Sequence, residues 1–155
     1  MKLVIITKTK LTTKPISTSF KKLTLDEIET VAQLEFEASN NPWSKKQLSE
    51  SVSNPNNLGY LLLVQSKIIG YIIAMPSLDS ADILNLAIHK DFKRKGYGSS
   101  LIDHLSINLK KRDIKTLFLE VRKGNFAAIA LYLSCLLYTS PSPRDQRGSR
   151  MPSSA

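Results

Sequence analysis

The run Ile83-Leu84-Asn85-Leu86-Ala87-Ile88-His89-Lys90-Asp91-Phe92-Lys93-Arg94-Lys95-Gly96-Tyr97-Gly98-Ser99 decides how the rest of this 155-residue chain is read. Its first six residues have the β-branched and aliphatic content of a strand, and its last seven are a basic turn punctuated by two glycines. Beyond the turn, Leu101, Ile102, Leu105 and Leu109 recur at the spacing of a helix that runs to Lys111. A strand that passes through a glycine turn into a helix presents unpaired backbone N–H groups at the positive end of a helix dipole, which suits an anion. Lys93, Arg94 and Lys95 add cations beside it. The turn lacks the third glycine of G-x-G-x-x-G and the Gly-Lys-Ser/Thr ending of a P-loop, so neither hydride transfer nor phosphoryl transfer is indicated. Taken alone, the same residues also fit a plain turn and helix cap.

Outward from this unit the chain reads as an ordered series of short elements. Residues 18–23 form a first strand, and Thr24-Leu25-Asp26-Glu27 has the S/T-x-x-E pattern of a capping box. The helix it opens carries Leu25, Ile28, Val31, Ala32, Leu34, Phe36 and Ala38 on a broad apolar face and stops at Asn40-Asn41-Pro42. Ser44-Lys45-Lys46-Gln47 is a second capping box, opening a short helix that ends before Asn54-Pro55-Asn56-Asn57. Residues 60–64, 68–74 and 83–88 read as an antiparallel meander, residues 116–121 as a further strand, and Asn125 begins a helix that carries Tyr132. The order β-α-α-β-β-β-α-β-α predicts an α+β fold with a mixed central sheet flanked by helices.

Composition narrows the function classes. The chain is 42% hydrophobic and 23% charged, which fits a globular domain. No apolar run approaches the ~18 residues of a spanning helix and no signal peptide is visible, so a cytoplasmic address without membrane contact is expected. The net charge of +9 is unevenly spread: residues 1–22 hold six lysines and no acid, whereas residues 23–134 hold 13 basic and 12 acidic side chains. Such a distribution is a basic N-terminal arm, residues 1–17, on a nearly neutral domain, and argues against general nucleic-acid affinity. An RNA-binding module remains the reading of a different class, to be recognised by a steep salt dependence. His89 and His104 have no partner at metal spacing, so no metal site is expected.

From Cys135 onward the composition shifts to Leu-Leu-Tyr-Thr-Ser-Pro-Ser-Pro-Arg-Asp. Residues 135–155 resemble a translated sequencing adapter and read as a non-native, disordered tail. With Cys135 set aside, no native cysteine is left.

Lys93-Arg94-Lys95-Gly96-Tyr97-Gly98 resembles the Q/R-x-x-G-x-G/A acyl-CoA loop of the GNAT acetyltransferase superfamily, with Lys93 at the Q/R position. Asn41-Pro42-Trp43-Ser44, Leu84-Asn85-Leu86-Ala87-Ile88, Leu119-Glu120-Val121-Arg122 and Asn125-Phe126-Ala127-Ala128-Ile129-Ala130-Leu131-Tyr132 are similar, in order and near the usual spacing, to the RimI-type ribosomal-protein alanine N-acetyltransferases. The resemblance covers residues 20–134 and implies a GNAT domain over residues 18–134, C-terminally truncated with its last two strands missing. Residues 116–121 are then expected to be an exposed edge strand, and the chain to be poorly stable and weakly active.

The resemblance also implies a chemistry: direct transfer of an acetyl group from acetyl-CoA to the N-terminal amine of a protein, a ribosomal one for the RimI type. A small-molecule amine or a lysine side chain is the alternative acceptor within the family. Leu86, Ala87 and Ile88 would bond the pantetheine arm through their main chain, the amides of Arg94, Lys95, Gly96, Tyr97, Gly98 and Ser99 would hold the pyrophosphate, and Asn125 would bond the cofactor from the loop after the next strand. Glu120 and Tyr132 match the family's catalytic positions. Glu120, interrupting an otherwise apolar strand, would be the base that frees the amine lone pair, and Tyr132 the acid that protonates the departing sulfur. Trp43 is read as a packing anchor beside the acceptor site.

Overall fold

A computed structural model describes residues 2–6, 17–120 and 139–140. The strands are β1 (Lys2–Ile6), β2 (Thr18–Lys22), β3 (Leu58–Val64), β4 (Lys67–Pro76), β5 (Ser80–Ile88), β6 (Thr116–Glu120) and β7 (Thr139–Ser140), and the helices are α1 (Ile28–Ala38), α2 (Lys45–Ser53) and α3 (Tyr97–Lys110). They form one sheet of order β2-β3-β4-β5-β6-β1-β7 in which only β5 and β6 run parallel. The α+β class with a mixed, helix-flanked sheet is therefore what the chain adopts.

Both capping boxes form. Thr24 Oγ1 accepts from the N–H of Asp26 at 3.3 Å while Glu27 Oε1 accepts from the N–H of Thr24 at 2.9 Å. Ser44 Oγ accepts from the N–H of Gln47 at 3.1 Å and Gln47 Oε1 from the N–H of Ser44 at 2.8 Å. These bonds satisfy orphan donors at the two helix starts, and a Lys45–Glu29 ion pair ties α2 to α1.

Alternation along the strands divides the core between the two faces of the sheet. Leu101, Ile102, Leu105 and Leu109 of α3 pack with Leu62, Ile72, Ala74, Ala81, Ile83, Leu117 and Leu119 on one face. Ile28, Val31, Leu34 and Leu48 of α1 and α2 pack with Leu61, Tyr71, Ile73 and Ala87 on the other. Two bulges break the alternation. On β4 the register shifts so that Ile69 is the extra residue opposite Leu62 and Leu63, and on β5 Leu84 is the extra residue opposite Ile73 and Ala74. A bulge reverses the faces beyond it. Strict alternation from Ala81 and Ile83 would turn Asn85 toward α3; with Leu84 bulged, Asn85 faces α1 while Leu86 and Ile88 face α3.

The edge-strand expectation is corrected. β1 pairs antiparallel with β6 from Lys2 opposite Glu120 to Ile6 opposite Thr116, so β6 has a neighbour on each side. Lysine count alone suggests an arm over residues 1–17, but Leu3-Val4-Ile5-Ile6 is a β-forming run and the sheet takes up Lys2–Ile6 as a strand. Thr139 and Ser140, placed in a disordered tail by composition, pair with Ile5 and Val4. Among the described residues no helix is long and apolar enough to cross a membrane.

Candidate functional site

Among the described residues the β5–β6 ladder runs from Ser80–Thr116 to Ile83–Leu119. β5 continues to Ile88, paired with β4 from Gly70–Ile88 to Ile73–Asn85. Leu86, Ala87 and Ile88 lie beyond the last described β5–β6 pair, with Leu86 half-buried and the other two buried. Glu120 is the residue of β6 that follows the last β5–β6 pair, and its backbone pairs with Lys2. Asn125 and Tyr132 lie outside the described residues.

After Ile88 the chain does not enter the glycine turn directly. His89 accepts the N–H of Asp91 on Nδ1 at 3.1 Å and caps a short turn of 3-10 helix, Lys90–Phe92. Phe92 meets His89 and Tyr97 edge-on with centroids 5.7 and 5.9 Å away, and Lys95 Nζ lies 5.9 Å from its ring. Arg94 and Gly96 then take left-handed conformations with φ of 64° and 86°. At Gly96, the N-cap of α3, a side chain would find open space, so the requirement for glycine there is conformational. The Gly96 carbonyl accepts from both the N–H and Oγ of Ser100 at 3.1 Å, which sets the first turn of α3. Gly98 is buried, Tyr97 and Ser99 are half-buried, and Arg94 and Lys95 are exposed. Backbone in this arrangement at a helix start suits an anion, and two exposed cations lie outside it. Lys93 is placed otherwise: its Nζ donates to the carbonyl of Ala38 at 3.1 Å and closes the C-terminal end of α1.

Nothing in the sequence reading anticipated the polar cluster on the opposite face. Glu35 of α1 is 2% exposed. Its Oε1 accepts from the Tyr71 hydroxyl at 2.8 Å, and its Oε2 from the backbone N–H of Trp43 at 2.9 Å and from Asn85 Nδ2 at 3.2 Å. Burial first, then the adjacent Glu35 charge and their hydrogen bond, push the Tyr71 hydroxyl far above the ordinary tyrosine value, so it stays protonated and donating. A signal existed: Glu35 falls four residues after Val31 and seven after Ile28, on the buried stripe of α1, where an acid needs partners. Trp43 packs against the α1–α2 core, as an anchor should, and borders a groove of about 370 Å³ with Gln47, Glu50, Met75 and Leu84. His104 is a packing residue, stacked on Phe20 at 4.1 Å and edge-on to Tyr60 at 4.8 Å.

The sequence model of the acetyltransferase (GNAT) family matches residues 25–136. The chain belongs to the GNAT acetyltransferase family. Among GNAT relatives, the [ribosomal protein bS18]-alanine N-acetyltransferase of Escherichia coli strain K12 is 40% identical over 93 residues, which are 60% of this chain and 62% of the relative. The aligned part of the chain thus spans less than two thirds of that relative's length. The crystal structure of the ribosomal-protein-S18-alanine N-acetyltransferase from Escherichia coli superposes with a TM-score of 0.70 at 34% identity, covering 76% of this chain and 75% of the other. At 21% identity, the structure of the PaiA N-acetyltransferase from Thermoplasma acidophilum in complex with coenzyme A superposes with a TM-score of 0.69, covering 77% and 88%. It shares the GNAT fold.

Proposed function

We propose that this protein transfers an acetyl group from acetyl-CoA to the N-terminal amine of a protein, with a ribosomal protein as acceptor and the cytoplasm as its place of action. The observation that carries this is the passage of β5 through the left-handed Arg94 and Gly96 into the first turn of α3. It is supported by the bacterial relatives that bear the name of alanine N-acetyltransferases of bS18.

The residues present suit the donor. Main-chain groups of Leu86, Ala87 and Ile88 would bond an extended amide-bearing arm as an added strand would. The amides of residues 94–99 would hold the pyrophosphate at the start of α3, with Arg94 and Lys95 adding a salt-screened attraction, and Asn125 would bond the donor from beyond β6. Side-chain identity matters little where main chain does the binding, so Lys93 at the Q/R position of the loop is compatible with it.

In the reaction the acceptor nitrogen forms a bond to the acetyl carbonyl carbon and the carbon–sulfur bond breaks. Glu120 would take the proton that the amine loses, and Tyr132 would give one to the leaving sulfur. Transfer is direct, within a complex of both substrates, and needs no metal.

The test is a peptide assay. Acetyl-CoA is offered together with a peptide beginning in alanine and a second peptide with a blocked N-terminus and a free lysine, and the modified atom is located by mass spectrometry. Acetylation of the α-amine alone is the expected result, and modification of the lysine alone overturns the acceptor assignment. Glu120→Gln should flatten the alkaline rise of turnover and Tyr132→Phe should lower turnover; unchanged rates across the pH range would remove these roles.

A further inference from the structure

The network around Glu35 is complete in a way that orders its members. The backbone N–H of Leu86 donates to Asn85 Oδ1 at 3.0 Å. A backbone N–H can only donate, so the amide oxygen of Asn85 faces Leu86, and both of its N–H groups are left for the other side. One goes to the Tyr71 oxygen at 2.9 Å and the other to Glu35 Oε2 at 3.2 Å. Tyr71, accepting from Asn85, points its own hydrogen at Glu35 Oε1. The carboxylate therefore collects three donors from three parts of the fold: the β4 phenol, the β5 amide and the backbone of the turn between α1 and α2.

One end of this chain of bonds lies on the proposed donor strand and the other beside a groove. Leu86 belongs to the stretch of β5 that leads toward the Gly96 turn, and Trp43 borders the groove on the α1–α2 face. Only the bulge at Leu84 brings Asn85 to the α1 side and so lets one amide join the two. A second tie runs the same way, since Lys93 of the glycine loop bonds the carbonyl of Ala38, where the same turn begins. A buried carboxylate with fully paired neighbours is rigid, and loss of any donor leaves charge or dipole uncompensated at low dielectric. A core that needed only volume at this place would be served by apolar side chains.

We propose that Glu35, Tyr71 and Asn85 are positioning residues that set the Trp43 turn against the cofactor strand at Leu86, so that acceptor binding depends on them more than donor binding does. The inference rests on the acetyltransfer reading for its kinetic arm only. Trp43 is the sole tryptophan of the chain, so its fluorescence reports the position of the turn without any turnover.

The experiment compares the full chain with Glu35→Gln, Glu35→Ala and Tyr71→Phe, using Glu37→Gln, an exposed position on the same helix, as control. Folding is checked by circular dichroism and thermal unfolding, and the turn by acrylamide quenching of Trp43. In variants that fold, the expected result is a quenching constant raised about twofold, an acceptor KM raised about tenfold and an acetyl-CoA KM that stays within about twofold. Glu35→Gln, which keeps an acceptor for Trp43, should fall between wild type and Glu35→Ala. Quenching equal to wild type in folded Glu35→Ala and Tyr71→Phe overturns the proposal. So does an equal rise in both KM values, or loss of the fold in all three variants, each of which marks a merely structural role. If wild type acetylates neither peptide, the functional reading falls while the Trp43 quenching still decides this one.

Discussion

Lys93 Nζ donates to the Ala38 carbonyl at 3.1 Å, so a cation of the glycine turn serves the C-terminal end of α1. That end carries carbonyls without helical partners and the negative pole of the helix dipole, and a lysine there is favourable on both counts. Lys93→Ala is expected to lower stability by about 0.3–1 kcal/mol in urea unfolding without coenzyme present. Were the lysine's role confined to phosphate, unfolding without coenzyme would be unchanged.

Gly70 lies against the end of β5. A Cβ on it would stand 2.6 Å from Ile88 Cδ1, 3.1 Å from the Ala87 carbonyl oxygen and 3.3 Å from Leu101 Cδ1. The Ile88 methyl can rotate away but the Ala87 carbonyl cannot. Gly70→Ala should destabilise by about 1–3 kcal/mol and weaken coenzyme binding through displacement of residues 87 and 88, read by thermal unfolding with and without CoA. Equal stability of variant and wild type would mean that the strand gives way freely.

Glu27 predicts an acid dependence. Burial pushes its carboxyl up, but bonds from the Thr24 N–H and hydroxyl and the charge of Lys21 outweigh this and hold it below the ordinary value of 4.5. Lowered in the folded state, it contributes stability that is complete above the unfolded value and is lost as the pH falls through the folded one. Between about pH 5 and pH 3 the melting temperature of wild type should fall faster than that of Glu27→Gln. Parallel curves would remove this contribution.

The N-terminal strand gives a simple deletion test. Removing residues 1–6 uncovers the row of β6 backbone groups that Lys2–Ile6 now pair. An open strand edge recruits other chains, so the shortened protein is expected to elute as larger species and scatter light at concentrations where the full chain does not. A monodisperse shortened protein would show that β6 tolerates its exposure.

The elements of this fold were legible locally, because the signals are local. The capping boxes at Thr24 and Ser44, the meander ending at Ile88 and the glycine turn at Gly96 each follow from residues within one or two helical turns or one strand. The turn of residues 94–99 is legible for the same reason: its glycine spacing and the polarity of the helix it opens are local features. Glu35 was not read, though its place on an apolar stripe marked it, because its partners lie 8, 36 and 50 residues away.

By itself the sequence determined the α+β order and the glycine turn at the start of α3, since caps, turns and periodicity are set by neighbouring residues, and its motifs carried the resemblance to GNAT enzymes. The tertiary structure alone decided three other things. It placed Lys2–Ile6 beside β6, where composition had suggested a solvated arm. It drew Lys93 to α1. Through one extra residue at Leu84, it turned Asn85 to the face where Glu35 and Tyr71 wait. Register and bulges depend on which strands meet, and a strand's neighbours are chosen by the whole chain.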